Sequence, residues 1–194
     1  IAVTDEVYEH LTYDGVEHLP LATFPGMAEW TLTISSAGKS FSFTGWKVGW
    51  VSGPADLVDA VRTVKQFLTF VSGGPLQHGV VTALGMEAQV TGPLRASLQA
   101  KRDRLCDGLE SAGFEVFRPS GTYFVLADIR PLGGVDGWDF CRELPHRAGV
   151  VAVPTQVFYQ DPDAGRHLVR FAFCKRDEVI DEAVVRLSKL RGSS

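Results

Sequence analysis

The sequence lacks the features that mark a membrane-spanning, nucleic-acid-binding or disulfide-stabilised protein. No apolar run is long enough to cross a bilayer. No lysine and arginine run forms a basic stripe, and a net charge of −4 gives no reason to expect a nucleic acid as partner. Cys106, Cys141 and Cys174 are far apart and form no C-x-x-C pair. They are therefore expected to be reduced and mostly buried, as in a cytoplasmic protein.

Two common catalytic and metal-binding signatures are also absent. The five histidines show no metal-ligand spacing such as H-E-x-x-H, so no metal site is expected. No G-x-S-x-G segment offers the nucleophile of a serine hydrolase. What remains is a chain of 194 residues, 45% hydrophobic and 22% charged, with the composition of a globular protein. Its length allows one sizeable core or two small ones.

The chain opens with an apolar strand rather than with a methionine, a signal peptide or a helix. Ile1–Thr4 is predicted to be a buried parallel strand, because the run is apolar instead of alternating. A strand at the first residue indicates that another segment precedes it. The expectation is that this chain is the carboxy-terminal part of a longer protein.

The first part of the chain alternates strands with helices, which predicts an α/β arrangement. Further strands are expected at 30–35 and 49–52. Pro54 then precedes a predicted helix over 55–70, and the break S-G-G-P separates it from another over 76–87.

Beyond Gly113 the sequence becomes richer in strands. Four are predicted from the segments FEVF, TYFVLADI, VVAVP and LVRFAFC, with one helix near 138–144 and a closing helix after them. This pattern indicates a smaller α+β domain. The predicted organisation is a large-domain segment over 1–90, an interdomain helix over 91–113 and a small carboxy-terminal domain over 114–194.

The segment Gly38-Lys39-Ser40 has the form of the end of a phosphate-binding P-loop. A Walker A loop requires G-x-x-x-x-G-K-[ST], which would place its first glycine at position 33. That position holds Thr33, inside a predicted strand where the loop cannot form. The P-loop hypothesis therefore fails, and the lysine needs another role.

Polar and charged side chains follow the first two predicted strands. Asp5 comes directly after the first strand, with Tyr8 three residues on. Ser36 ends the second strand, and Lys39 and Lys47 follow it. Ligands of α/β sheets bind beyond the carboxyl ends of the strands. A carboxylate, a phenol, a hydroxyl and two amines are therefore predicted to meet at one edge.

The chain resembles the class I/II (fold-type I) pyridoxal-phosphate aminotransferases. Four segments carry the resemblance, in family order: TDEVYEHLTYDG, SSAGKSFSFTGWKVGW, SGTYFVLADI and HLVRFAFCK. Within the family the chain is most similar to the kynurenine/methionine aminotransferase-like group, which includes mycobacterial N-succinyldiaminopimelate aminotransferases. The resemblance implies that 1–90 belongs to a large cofactor-binding domain with a mainly parallel sheet. It also implies pyridoxal 5′-phosphate as cofactor, amino-acid and 2-oxo-acid substrates, and a homodimer. Partner contacts are expected in Gln66–Gln77, whose apolar and glycine-rich character fits a buried turn between helices equally well.

The resemblance assigns a role to each residue at the predicted edge. It implies that Lys39 forms an imine with the cofactor aldehyde and then moves a proton between the substrate α-carbon and the cofactor. Asp5 would face the pyridine nitrogen and keep it protonated. Tyr8 would hydrogen-bond the ring oxygen. Ser36 and Lys47 would hold the 5′-phosphate, with a lysine where many relatives have arginine.

Arg170 matches the arginine that pairs with the α-carboxylate of the substrate. An unpaired buried charge is expensive, so a structural ion pair is the alternative for this residue. Structural alternatives also stay open for the others: a surface lysine for Lys39, a turn cap for Asp5 and a packing side chain for Tyr8.

The predicted function is an aminotransferase that moves an amino group from an amino acid to a 2-oxo acid. A carbon–sulfur β-lyase on the same scaffold, a non-catalytic ligand-sensing module and a catalytically inactive fragment are the alternatives. The resemblance also implies an amino-terminal half that supplies further cofactor contacts, and none of its segments occurs in this sequence. The substrate itself does not follow from the sequence.

Overall fold

The computed structural model describes residues 1–71 and 73–192. The chain divides into two compact units, Ile1–Arg95 and Ala96–Ser194. Each unit has its own sheet, with three strands in the first and four in the second. Helices accompany both sheets, which gives the α/β and α+β character expected of the two parts.

The first sheet consists of β1 (Ala2–Asp5), β2 (Thr31–Ser36) and β3 (Gly49–Ser52) in that order. β1 runs parallel to β2, and β3 runs antiparallel to it. The predicted strand positions are confirmed to within one residue. The predicted burial of the first strand is wrong: Val3 is 62% exposed, and burial alternates along β1 because the described residues leave one face of this strand uncovered.

Four helices follow from β2 onward: α1 (Ala37–Ser40), α2 (Ala55–Leu68), α3 (Gly74–Gly85) and α4 (Glu87–Ser111). α2 ends two residues earlier than predicted, just before Phe70, whose φ of 58° is incompatible with a continuing helix. A core cluster of Ala37, Phe41, Val48 and Val80 packs α1 and the residue before β3 against α3. Apolar contacts with α3 therefore hold α1 in place.

The second sheet contains β4 (Glu115–Phe117), β5 (Phe124–Asp128), β6 (Val153–Pro154) and β7 (Leu168–Ala172). The strands are antiparallel and lie in the order β4-β5-β7-β6. The helices of this part are α5 (Gly137–Ala148) and α6 (Asp177–Leu187). Over the described residues, no helix is both long and apolar enough to cross a membrane.

Asp128, at the end of β5, is a fully buried carboxylate. It accepts hydrogen bonds from the backbone N–H of Arg130 at 2.8 Å and from Nε and Nη2 of the same guanidinium. Burial alone would raise the pKa of Asp128, but the hydrogen bonds and charge of Arg130 outweigh burial and hold the pKa below its ordinary value. His167 adds a weaker contact, with Nε2 at 3.8 Å.

Replacing Asp128 by asparagine is expected to lower the free energy of unfolding at pH 7 by about 2–3 kcal/mol, because it removes charge-assisted hydrogen bonds from a buried site. A carboxyl whose folded pKa is depressed stabilises the fold above its unfolded pKa, and the contribution fades as the pH falls through the folded pKa. The gap between wild type and variant should therefore shrink below about pH 4. Urea unfolding at pH 7 and pH 3 measures it, with the exposed Glu17→Gln as control. A gap of equal size at both pH values would contradict this account.

Candidate functional site

The carboxyl ends of β1 and β2 form one edge of the first sheet. The two strands are parallel, with Asp5 opposite Ile34, and Ser36 is the last residue of β2. The N–H of Glu6 donates to the carbonyl of Ile34 at 2.8 Å, so the chain follows β2 for one residue beyond β1. The structure thus brings Asp5 and Ser36 to the same edge.

α1 is a single helical turn that begins directly at this edge. Ser36 is its N-cap, and its Oγ accepts a hydrogen bond from the N–H of Gly38 at 3.2 Å. Ser40 Oγ donates to the carbonyl of Ser36 at 3.3 Å, and Thr44 Oγ1 donates to the carbonyl of Gly38 at 3.0 Å. Three hydroxyls therefore fix the turn that carries Lys39.

Gly38 is required by a close approach and not by a phosphate loop. A Cβ at this position would lie 2.8 Å from the Cα of Thr44. The next turn of chain could not then pass so near α1. The glycine that gives the sequence its P-loop appearance thus has a packing role.

Lys39 is half-buried, and its neighbours Ala37, Gly38 and Ser40 are buried. Its Nζ lies 6.0 Å from the centre of the Tyr8 ring, within the range of a cation–π contact. Tyr8 itself is half-buried, in the segment that follows β1. The structure therefore places Lys39 and Tyr8 together, with the lysine amine directed at a phenol ring.

Glu9 and Ser35 support this arrangement, and sequence reasoning missed both roles. The buried Ser35 Oγ donates a hydrogen bond to Glu9 Oε1, which ties the segment containing Tyr8 to β2. The two residues are 26 positions apart, and no local pattern signals such a contact. Only the parallel pairing of β1 and β2 brings them together.

Asp5 is exposed at the end of β1. Its Oδ1 accepts the N–H of Val7 at 3.3 Å, which is the turn-capping role considered as its structural alternative. No other hydrogen bond from the described residues reaches this carboxylate. One oxygen therefore orders the turn, and the other faces solvent at the strand edge.

Lys47 is exposed and lies one turn beyond α1, with a left-handed φ of 56°. The following residue, Val48, receives hydrogen bonds at its carbonyl from the N–H of Ala37 at 3.1 Å and from Ser36 Oγ at 3.5 Å. This pairing holds the backbone next to Lys47 against the N-cap of α1. The Ser36 hydroxyl and the Lys47 ammonium group therefore belong to two segments whose backbones are hydrogen-bonded to each other.

The residues at and near this edge provide the kinds of group that pyridoxal 5′-phosphate would need. They comprise an amine, a carboxylate, a phenol and a hydroxyl, with a second amine on the neighbouring segment at Lys47. In the described part of the chain, no group of three or more His, Cys, Asp or Glu side chains could hold a metal ion.

Arg170 lies in the second unit, on β7, opposite Leu126 of β5 and Val153 of β6. Its Cζ is 4.0 Å from the ring centre of Phe124 and 4.3 Å from that of Phe158. Nε is buried and has no hydrogen-bond acceptor among the residues described. The structural ion pair considered for Arg170 does not occur among them either. Two aromatic rings hold the guanidinium instead, and its charge is not neutralised by a carboxylate of the described chain.

Comparison with known proteins gives one consistent result. The family described as aminotransferase class I and II matches residues 1–187. A probable N-succinyldiaminopimelate aminotransferase of Mycobacterium tuberculosis is 53% identical over 98% of this chain and 50% of its own length. A kynurenine–oxoglutarate transaminase of Dictyostelium discoideum is 38% identical over 97% of this chain and 48% of its own length.

Solved structures agree with these sequence matches. The N-succinyldiaminopimelate aminotransferase from Mycobacterium tuberculosis superimposes with a TM-score of 0.93 at 54% identity, over 97% of this chain and 49% of that one. Escherichia coli YbdL, described as having a methionine aminotransferase function, gives a TM-score of 0.89 at 34% identity, over 96% of this chain and 48% of that one. The chain thus spans about half the length of the relatives it matches.

Proposed function

The chain belongs to the class I and II aminotransferase family, and we propose that it carries the reactive lysine of an enzyme that transfers an amino group from an amino acid to a 2-oxo acid. One observation supports the proposal above all. Lys39 Nζ lies 6.0 Å from the Tyr8 ring, on a turn that begins at the edge where β1 and β2 end. Asp5 and Ser36 are the last residues of those strands.

Pyridoxal 5′-phosphate is the cofactor of this family, and when bound it takes up the electron pair left on the substrate α-carbon. Asp5 would hold a proton on the ring nitrogen through its solvent-facing oxygen. Tyr8 would donate a hydrogen bond to the ring oxygen. Ser36 and Lys47 would donate to the phosphate, and the single ammonium of Lys47 imposes less geometry there than an arginine fork would.

Lys39 would act twice in the reaction. Its amine would hold the cofactor through a covalent bond in the absence of substrate. Once displaced by the substrate amine, Nζ would take the proton from the substrate α-carbon and pass it to the former aldehyde carbon, and in the second half of the reaction it would move a proton in the reverse direction. The hydroxyl-fixed turn of α1 would hold the backbone of Lys39 in place during both tasks. In the second unit, Arg170 would donate two parallel hydrogen bonds to the α-carboxylate of the substrate.

We also propose that the working enzyme is a cytoplasmic homodimer. The segment from Gln66 to Gln77 contains a run of strongly exposed apolar side chains on its described residues: Phe67 at 83%, Leu68 at 77%, Phe70 at 79% and Val71 at 64%. Exposed apolar surface of this extent favours a protein partner. All three cysteines are free, as in proteins of a reducing compartment.

The assay for this proposal follows the fate of the amino group. The purified full-length protein with pyridoxal 5′-phosphate receives one amino donor and one 2-oxo-acid acceptor. The donors are L-glutamate, L-methionine, L-kynurenine and N-succinyl-L,L-diaminopimelate. The acceptor is 2-oxoglutarate for every donor except L-glutamate. The last three are chosen from the relatives' names, and for L-glutamate the acceptor is oxaloacetate. Transamination yields a new amino acid and the donor's 2-oxo acid in equal amounts. A β-lyase would instead release pyruvate and ammonia from an S-substituted cysteine. The names of the relatives do not favour this alternative. If none of the four donors supports amino transfer, the proposal is overturned.

A further inference from the structure

Two aromatic rings pack against the Arg170 guanidinium. Phe124 approaches one face with its ring centre 4.0 Å from Cζ, and Phe158 lies 4.3 Å from the same atom. A guanidinium packed against aromatic rings gains cation–π attraction and loses solvent where the rings cover it. Its N–H groups can then donate only in the plane of the group, which is the direction a carboxylate needs for two parallel hydrogen bonds.

The Nε atom shows that an acceptor in this plane is missing. It is buried and has no hydrogen-bond partner among the described residues. A buried N–H without an acceptor is unfavourable, so it indicates a place where a ligand oxygen completes the structure. The cation–π contacts add no negative charge, and Arg170 therefore retains its full charge for that ligand.

Phe158 is held in place by hydrogen bonds and not by burial. It is 57% exposed and ends the short helical turn Thr155–Phe158 directly after β6. The buried Thr155 Oγ1 donates to the carbonyls of Gly165 at 2.7 Å and Leu168 at 3.1 Å. An exposed phenylalanine contributes little to a core, so this anchored position points to a role beside Arg170.

Phe124 has an anchor of its own. Thr122 adopts a left-handed φ of 66°, which is rare for a β-branched residue, and its Oγ1 accepts the N–H of Phe124 at 3.1 Å. Phe124 pairs with Ala172 across the sheet, which puts its ring on the same face as Arg170, two residues away on β7. The two rings are thus fixed from two separate segments of the chain.

We propose that Phe158, together with Phe124, is a positioning residue that holds Arg170 edge-on for the α-carboxylate of the substrate. The inference rests on the proposed function. Phe158 acts through Arg170 and takes no part in proton transfer. Its loss should therefore weaken the binding of carboxylate substrates and leave the rate of the chemical steps nearly unchanged.

The test compares Phe158→Leu, which keeps apolar bulk without a ring face, with Phe158→Tyr, which keeps the face. For the fastest of the four donors, Phe158→Leu should raise KM about tenfold while kcat changes less than about twofold. Preference for this donor over its α-carboxamide should fall by a similar factor, since the amide offers no charge to Arg170. Phe158→Tyr should behave like wild type.

Val157→Ala is the matched control, because Val157 is 47% exposed on the same turn. It should keep the wild-type KM and carboxamide preference. The positioning role would be overturned if the wild-type enzyme is active and Phe158→Leu keeps the wild-type KM and carboxamide preference. It would also be overturned if Phe158→Tyr changes these two quantities as much as Phe158→Leu does. Either result would leave the proposed function intact. A wild-type enzyme without transaminase activity would overturn both.

Discussion

Replacing Lys39 by alanine is expected to lower the rate of amino transfer by more than about 10⁴-fold. A positioned proton-transfer group alone contributes roughly 10²–10⁴-fold, and this amine is proposed to act as a covalent attachment point as well. Lys39→Arg should be equally inactive, because a guanidinium keeps the charge but does not lose its proton. Stopped-flow absorbance of the half-reaction with the fastest donor measures the loss.

Lys65→Ala provides the control for a general effect of removing a lysine. Lys65 is an exposed residue of α2, and its Nζ donates to Thr69 Oγ1. That variant should retain activity within about twofold. The α1 turn of Lys39→Ala should stay folded, since its three hydroxyl hydrogen bonds do not involve the lysine side chain. A Lys39→Ala enzyme within tenfold of wild type would show that this amine is not the reactive group.

Asp5→Asn is expected to reduce kcat by about 10²–10³-fold, the range found when one preorganised electrostatic group is lost. The substitution separates the two roles of Asp5. Asparagine has the same shape, and its Oδ1 can still accept the N–H of Val7, so the turn after β1 should persist. Only the negative charge proposed to face the ring nitrogen disappears. Single-turnover kinetics with saturating cofactor isolates this effect from cofactor binding.

Asp56→Asn is the comparison for Asp5→Asn, because Asp56 is exposed in the first turn of α2. It should leave kcat unchanged. If Asp5→Asn also keeps the wild-type kcat, the carboxylate only caps the turn after β1 and has no electrostatic role in the reaction. A fall in kcat without a fall in thermal stability would favour the electrostatic role.

Much of the first unit follows from local sequence signals. The segment 49–52 is predicted as a strand and is β3. The apolar run 1–4 predicts a parallel strand, although the burial inferred from it is wrong, and the observed pairing of β1 with β2 explains why Asp5 and Ser36 share an edge. The rejection of the P-loop also needs only local information, because the spacing puts Thr33 within β2 where a glycine would be required.

Contacts between distant segments could not be predicted in the same way. The ring of Phe158 covers Arg170 from a turn 12 residues earlier, and sequence reasoning considered a carboxylate partner instead. The strand predicted from VVAVP shrinks to Val153–Pro154, an edge strand in which Pro154 offers no N–H for pairing. Both outcomes depend on which segments become neighbours, and a single sequence does not encode this locally.

The N-cap of α1 leaves the Ser36 hydroxyl able to serve the helix and the proposed phosphate contact together. Ser36 Oγ uses its lone pairs to receive the N–H of Gly38, while its own hydrogen is directed to the carbonyl of Val48 over a long 3.5 Å contact. The hydroxyl can therefore rotate its hydrogen towards an incoming phosphate at little cost and still cap the helix. If Ser36 makes the proposed phosphate contact, the cap of α1 would be kept and only the Cβ–Oγ bond of Ser36 would need to rotate.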